Sequence, residues 1–268
     1  MPVENAARRG LPQALVITGA IAGGLVFDQH VDFWGQTLTN LGIWSAFLYW
    51  LRGARRDDQL ALAVCVFYAT LGEIFLSLVW GLYEYRLANI PLFVPPGHAL
   101  LFMLGRILAE KARDWIVWLV PLVAAPFVIL LTITGLGTLD ALLFALFLLC
   151  LLSGRANKLY SVMFVLSLAM EVFGTWLGSW AWGAEVQRLG LTTINPPLAA
   201  GAFYCILDML VVTTMANWRS GPRPLIRDTG ATMSPPLAIW AGGYAPASAA
   251  GRAGERDPHG RNRASNRV

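Results

Sequence analysis

Two glutamates lie inside long apolar stretches of the chain, and each is followed by paired aromatic residues. Glu73 belongs to GEIFLSLVWGLYEYRLANIPLFVPPGH (72–98), and Glu171 belongs to EVFGTWLGSWAWGAEVQRLGLTTINPPLAAGAFYCILD (171–208). An ionisable group inside a membrane is costly, so it normally faces a bundle interior or a cavity and marks a functional path. Burial also favours the neutral form of a carboxyl group, which can then donate a proton. Acid–base chemistry is therefore the first candidate activity.

Two further ionisable residues accompany the glutamates. Asp208 lies in the last apolar stretch, at a depth comparable to that of Glu73 and Glu171. His98 follows Pro95-Pro96-Gly97, and because proline suits a first helical turn, a helix is predicted to begin there with its positive dipole end near the imidazole. The predicted catalytic residues are Glu73, Glu171, Asp208 and His98, and it is left open which carboxyl carries a proton.

Aromatic residues are concentrated around these acids. Trp176 and Trp180 are four residues apart and are predicted to share a helix face with Glu171. Aromatic rings attract cations, although aromatic residues also collect at membrane interfaces. Asn195 precedes two prolines and could cap the following helix. The predicted substrate-binding residues are Trp80, Tyr83, Tyr85, Trp176, Trp180, Trp182 and Asn195.

Metal and redox chemistry have little support in the sequence. The external turn Asp28-Gln29-His30-Val31-Asp32 offers possible ligands, but a solvated turn is the simpler interpretation. With three histidines in the chain, a histidine-rich di-iron site is excluded. The cysteines Cys65, Cys150 and Cys205 all lie in apolar stretches and are interpreted as small buried side chains. We expect no metal and no cofactor.

The elements that must position these side chains are membrane-spanning helices. The chain has 268 residues, of which 56% are hydrophobic and 13% charged, whereas about a quarter of the residues of a soluble domain are charged. The apolar residues form long blocks. The predicted fold is an all-α polytopic bundle of about eight helices, with seven or nine as alternatives. The predicted spans are 11–28, 32–51, 59–82, 91–109, 115–134, 138–153, 159–182 and 197–217.

Basic residues predict the orientation of the bundle. One set of connectors carries ten Lys and Arg residues before residue 219, and the other set carries only Arg86 and Arg188. Positive residues favour the cytoplasmic side, so both termini are predicted to be cytoplasmic in a multi-pass protein of the inner (plasma) membrane. The predicted domains are a cytoplasmic N-terminus (1–10), a transmembrane domain (11–217) and a cytoplasmic tail (218–268).

The tail accounts for the basic character of the chain. Residues 219–268 contain eight arginines and three acidic residues, a charge of +5, so the rest of the chain carries +4 − 5 = −1. A nucleic-acid partner is therefore not expected, and anionic lipid headgroups suit the tail better. Its content of Pro, Gly, Ala, Ser and Arg predicts disorder.

The two glutamate segments occupy matching places in two four-span halves, 11–109 and 115–217. Each segment runs from a glutamate through a glycine to aromatics two apart, Tyr83 and Tyr85 or Trp180 and Trp182, and then to Pro-Pro. This order predicts a parallel internal repeat with a shared central site. Interfacial clustering of aromatics and prolines is the alternative explanation.

GEIFLSLVWGLYEY, MEVFGTWLGSWAW and YCILDML together resemble the polytopic isoprenoid enzymes: carotenoid-biosynthesis proteins of the hydratase and small lycopene-cyclase kind, and membrane-bound terpene cyclases. The resemblance implies protonation of a carbon–carbon double bond in a hydrophobic, lipid-like substrate, followed by cyclisation or hydration. It implies Glu73 and Glu171 as acid and base and Asp208 as a second acid. A proton-coupled transporter and an accessory membrane subunit are the alternative functions.

Overall fold

The computed structural model describes residues 2–31, 33–186 and 189–220, which are mostly helical. Nearly all of the predicted tail lies outside the described residues. The exception is 218–220, which continues the last helix rather than beginning a separate segment.

The described residues form eight α-helices, one π-helix and four short strands. The helices are α1 (Pro2–His30), α2 (Gly35–Gly53), α3 (Arg56–Glu73), the π-helix Ile74–Val79, α4 (Val94–Lys111), α5 (Ile116–Ile133), α6 (Thr138–Leu152), α7 (Asn157–Leu177) and α8 (Gly201–Ser220). The strands are β1 (Tyr83–Tyr85), β2 (Trp180–Trp182), β3 (Glu185–Val186) and β4 (Leu191–Thr192). Strand β1 pairs with β2, and β3 pairs with β4.

Within the described residues, five stretches are long and apolar enough to cross a membrane. They are Gly10–His30, Arg56–Val79, Ile116–Ile133, Asn157–Leu177 and Gly201–Ser220. Large apolar side chains also lie on the outside of the bundle; Trp118 is 77% exposed and Ile133 is 79% exposed. An apolar exterior of this extent is what lipid requires, so the prediction of a helical membrane protein is confirmed.

The prediction of a purely helical fold is wrong at the two aromatic pairs. The third and seventh spans were expected to continue to residues 82 and 182, but the π-helix ends at Val79 and α7 ends at Leu177. Gly81 and Gly178 follow these ends with φ of +71° and +77°. Glycine adopts this left-handed conformation readily and so turns the chain out of a helix. The aromatic residues beyond each glycine are then free to form a strand.

Pro-Pro predicts the start of α4 correctly but not the start of α8. Pro95 and Pro96 occupy the first turn of α4, which confirms the predicted helix start beside His98. By contrast, α8 begins at Gly201, after a turn, and not at residue 197. Asn195 therefore does not cap α8; its side-chain oxygen accepts a hydrogen bond from the backbone N–H of Trp182 at 3.1 Å.

Four helices form the centre of the bundle. α3 packs against α4 and α8, and α7 also packs against α4 and α8, which closes a ring. The α1–α2 hairpin covers this ring mainly at α4, whereas the α5–α6 hairpin covers it at α7 and α8. Gly201 lets α8 approach the backbone of α7 at Phe164 closely, since a Cβ there would lie 2.5 Å from the Phe164 carbonyl oxygen.

Candidate functional site

Strands β1 and β2 bring the two aromatic pairs together at one end of the central ring. They run antiparallel, with Tyr83 opposite Trp182 and Tyr85 opposite Trp180. In each pair, the first aromatic of one strand faces the second aromatic of the other strand. The sheet therefore has a local two-fold axis, and all four aromatic side chains are buried on its inner face.

The two tyrosines of β1 bind Glu73. The hydroxyls of Tyr83 and Tyr85 donate to Glu73 Oε2 at 2.8 and 2.7 Å. Burial raises the pKa of both phenols well above the ordinary value, and the nearby charge of Glu73 raises the pKa further, so both hydroxyls stay protonated and act as donors. The other oxygen, Glu73 Oε1, lies 3.5 Å from His98 Nε2.

The two tryptophans of β2 bind Glu171 in the same manner. Their indole N–H groups donate to Glu171 Oε2, at 2.8 Å from Trp180 and 3.0 Å from Trp182. The hydroxyl of Tyr204 on α8 donates to Glu171 Oε1 at 2.9 Å. Each buried glutamate thus has two strand aromatics on one oxygen and one ring from the following helix beside the other oxygen.

His98 and Tyr204 join the two clusters. Their rings stack with centroids 5.0 Å apart and planes within 4° of parallel. Glu73 and Glu171 consequently lie on either side of one stacked pair, and the two carboxylates, His98, Tyr83 and Tyr204 all line the same cavities. The structure therefore brings together Glu73, Glu171 and His98, three of the four residues predicted to be catalytic.

Hydrogen-bond roles distinguish the two carboxyl groups. An indole N–H can only donate, so Glu171 Oε2, which receives two of them, carries no proton. His98 Nδ1 lies 3.0 Å from the carbonyl oxygen of Val94, and a carbonyl only accepts, so Nδ1 carries a hydrogen. His98 Nε2 then faces Glu73 Oε1, where a bare lone pair opposite a carboxylate would be repulsive. A proton carried by the pair would make this 3.5 Å contact attractive, whereas Glu171 accepts three hydrogen bonds.

The π-helix compensates for a difference in length between the two segments. Glu73 precedes its tyrosines by 10 and 12 residues, whereas Glu171 precedes its tryptophans by 9 and 11. The first segment therefore has one extra residue between acid and strand. A π-helix accommodates more residues per turn than an α-helix, and such insertions are frequent at functional sites. Ile74–Val79 absorbs the extra residue, which allows both pairs of rings to reach their acids.

Two cavities of about 60 Å³ each adjoin the paired clusters. The first is closed on its far side by Ile21 of α1 and Ile43 of α2, and the second lies between Tyr68 of α3 and Leu207 of α8. A buried water molecule needs about 10–15 Å³ of cavity volume, so each cavity has room for about four to six atoms of the size of a water oxygen. The walls are mostly apolar apart from the two acids and their partners.

Three predicted substrate-binding residues lie outside these cavities. Trp176 lies on α7 and is 77% exposed. The predicted helix face shared with Trp180 does not form, because α7 ends at Leu177 and Trp180 belongs to β2. Trp80 is half-buried, and its ring lies 5.6 Å from that of Phe75 at an angle of 58°. Asn195 is exposed and holds the backbone of β2. The remaining four, Tyr83, Tyr85, Trp180 and Trp182, bind the glutamates.

Asp208 is fully buried but lines neither cavity. It lies one turn beyond Tyr204 on α8, and neither carboxyl oxygen has a hydrogen-bond partner within the described ranges. Cys205 lies on the same helix and donates to the carbonyl of Tyr160. The three cysteines are free and buried, as predicted. The expected convergence of three acids is therefore limited to two, with Asp208 in separate surroundings.

Tyr204 and Gly174 are the site residues that sequence reasoning missed. Tyr204 precedes Asp208 by one helical turn, so the two share a face of α8, and that spacing is the signal that could have identified it. Gly174 lies one turn after Glu171, and a Cβ at this position would overlap the indole ring of Trp180. The glycine leaves the space that this ring occupies.

Metal ligation has no support in the part of the chain that the structure describes. No three His, Cys, Asp or Glu side chains are grouped there as a metal site would need. In the turn singled out above, His30 is hydrogen-bonded to the Val26 carbonyl, and Asp28 lies 3.5 Å from Arg86. Asp32 lies outside the described residues.

No family model matches the chain, and no similar protein is found among the curated proteins or the solved structures.

Proposed function

We propose that this protein is an integral membrane enzyme that acts on a hydrophobic isoprenoid or polyene lipid by acid–base chemistry. The observation that carries the proposal is the His98–Glu73 pair, whose atoms lie 3.5 Å apart and which lines an aromatic cavity together with Glu171, the acceptor of three hydrogen bonds. An acid and a base with different surroundings in one buried site are the arrangement that proton transfer to and from a substrate requires.

The proposed architecture has eight membrane crossings and both termini in the cytoplasm. The ten-to-two division of basic residues between alternate connectors supports this orientation. It places the β1–β2 sheet and the two glutamates toward the outer side of the inner membrane. The two-fold register of the sheet and the matched binding of Glu73 and Glu171 support a parallel repeat of the two halves.

The chemical step begins at the first cluster. The proton held between His98 and Glu73 is transferred to one carbon of a double bond, whose π electrons form the new C–H bond and leave a cation on the other carbon. The rings of Tyr83, Tyr85 and Trp180 border the first cavity and would attract this cation, as would the negative charge of Glu171. Loss of a proton to Glu171 would complete a cyclisation or isomerisation. Addition of water and loss of its proton would complete a hydration.

The size of the cavity indicates which part of a substrate would react. Space for about four to six atoms corresponds to about one isoprene unit, which contains five carbon atoms. A whole polyene does not fit, whereas the end of its chain does. We therefore propose that the terminal isoprene unit enters the site and that the rest of the molecule lies among the apolar side chains outside it.

The experiment is a comparison of lipid extracts by mass spectrometry. The chain is expressed in a bacterial host that makes polyprenyl lipids and polyenes, alongside Glu73→Gln, Glu171→Gln and an empty vector. The matched control is Glu84→Gln, because Glu84 lies between the two tyrosines on β1 but is exposed on the opposite face. We expect a new product with the unmodified chain and with Glu84→Gln, and none with the two site variants at equal protein level. An unchanged lipid profile with the unmodified chain would overturn the proposal.

A proton-coupled carrier is the second candidate, favoured by one observation. Glu73, His98 and Glu171 line both cavities, so a proton on this cluster is accessible from two sides. A carrier would show substrate-dependent proton uptake in proteoliposomes, and Glu171→Gln would abolish it. The absence of uptake across a broad panel of small solutes would count against this function.

A further inference from the structure

A third and much larger cavity lies at the opposite end of the bundle from the β1–β2 sheet. It has a volume of about 1130 Å³ and lies among the first part of α1, the last turns of α2 and α4, and the first turns of α3. Small-molecule sites usually have volumes of about 300–1,000 Å³, so the space is ample for a sizeable ligand. The acid–base site does not use it.

The charged side chains of this cavity are mainly basic. Arg52, Arg106 and Lys111 line it against Asp58 and Glu110. Asp58 is already engaged, because Arg106 and Arg55 donate to its two oxygens at 3.1 and 3.2 Å. Arg52 and Lys111, in contrast, have no ion pair within the described parts of the chain. Glu110 is likewise without an ion pair there, so the unpaired charges of the lining sum to +1, which favours an anionic ligand.

The rest of the lining is apolar and aromatic. Leu48, Leu62, Met103 and Ile107 form a wall deeper than the charged rim, and Tyr49 and Trp50 stand beside them. Tyrosine and tryptophan favour the headgroup level of a membrane, where one end of the side chain is apolar and the other is wet. A ligand that fills this cavity therefore has an anionic head and an apolar body.

We propose that this cavity binds an anionic phospholipid, with its phosphate between Arg52 and Lys111 and its chains against the apolar wall. Arginine and lysine both bind phosphate, arginine through its planar fork and lysine as a point charge. A free phosphate would satisfy the two cations but would leave the apolar wall uncovered. This inference is independent of the chemistry proposed for the glutamates.

The test measures lipid binding to the full chain in detergent by native mass spectrometry. The probes are phosphatidylglycerol, which is anionic, phosphatidylcholine, which carries a phosphate but no net charge, and inorganic phosphate as a competitor. We expect phosphatidylglycerol to bind more tightly than phosphatidylcholine, and phosphate at millimolar concentration not to displace it. Equal binding of the two lipids would overturn the proposal, and displacement by phosphate would show a site for the free anion instead.

Variants separate this cavity from general attraction to a basic surface. Arg52→Gln with Lys111→Gln should weaken phosphatidylglycerol binding by about 25-fold, since each basic residue near an anionic headgroup contributes about fivefold. The matched control, Arg56→Gln with Arg113→Gln, removes two exposed charges that do not line the cavity. We expect it to retain binding, and an equal loss in both double variants would contradict a specific site. Ser45→Trp, which narrows the cavity without a change of charge, should also weaken binding.

Discussion

Replacement of Gly174 by alanine tests whether the position of Trp180 holds the acceptor site together. An added Cβ would overlap the Trp180 ring, and this ring donates to Glu171 Oε2 at 2.8 Å. Overpacking of a filled interior costs about 1–3 kcal/mol. Loss of a hydrogen bond to a charged group costs about 1.5–3 kcal/mol. Alanine favours a helix by about 1 kcal/mol over glycine, so we expect a net destabilisation of about 3 kcal/mol.

The assay is thermal unfolding of the purified protein in detergent, together with the lipid extracts described above. A loss of about 3 kcal/mol corresponds to a fall of roughly 6–12 °C in the unfolding midpoint of a chain of this size. Gly19→Ala is the matched control, because a Cβ there meets no atom within 4 Å. It should leave the midpoint unchanged or raise it slightly. If Gly174→Ala behaved like Gly19→Ala, the indole would not be fixed by contact with this glycine and the reasoning would be refuted.

Two further predictions separate the members of the cluster. Tyr204→Phe keeps the ring that stacks on His98 but removes the donor to Glu171, and we expect product formation to fall by about 10- to 150-fold, the equivalent of a hydrogen bond to a charged group. Tyr160→Phe removes a buried hydroxyl that lines neither cavity, so it should keep full activity, and an equal loss in both variants would contradict the role given to Tyr204. The Asp208→Asn variant should also form the product, because Asp208 lines neither cavity. Loss of product at a normal protein level would show that Asp208 takes part in the reaction.

The sequence predicted the helical membrane fold because long apolar blocks have few other solutions. It could not predict the small sheet, because strands of three residues have no periodicity to distinguish them from a helix end. The aromatic pair after Gly178 continues an apolar block, and nothing in its composition marks the point where α7 ends. The helices end because Gly81 and Gly178 adopt left-handed conformations. Glycine permits that conformation without requiring it, so the sequence alone does not predict the helix end.

The sequence identified the buried acids but not which of them lie together. Glu73 and Glu171 each precede a glycine and two aromatics, and the structure brings them to one place. Asp208 has the same residue type at a similar depth, yet Tyr204, one turn earlier on α8, is the residue that reaches Glu171. The two residues share a face of α8, so the position of the helix along its axis decides which one reaches Glu171. That position depends on contacts such as Gly201 against Phe164, which a single segment does not reveal.

The two clusters differ in one ring: His98 lies beside Glu73, whereas Tyr204 lies beside Glu171. Both glutamates are bound by two strand aromatics, so a symmetric site would hold two equivalent carboxylates and would have no preferred donor. Both ring nitrogens of the imidazole beside Glu73 can bind a hydrogen, whereas the phenol beside Glu171 has a single hydrogen, which it donates to the glutamate. In the proposed function, the first cluster therefore releases a proton toward the cavity and the second accepts one. In the proposed chemistry, this single difference of ring between two otherwise matched clusters is what separates acid from base.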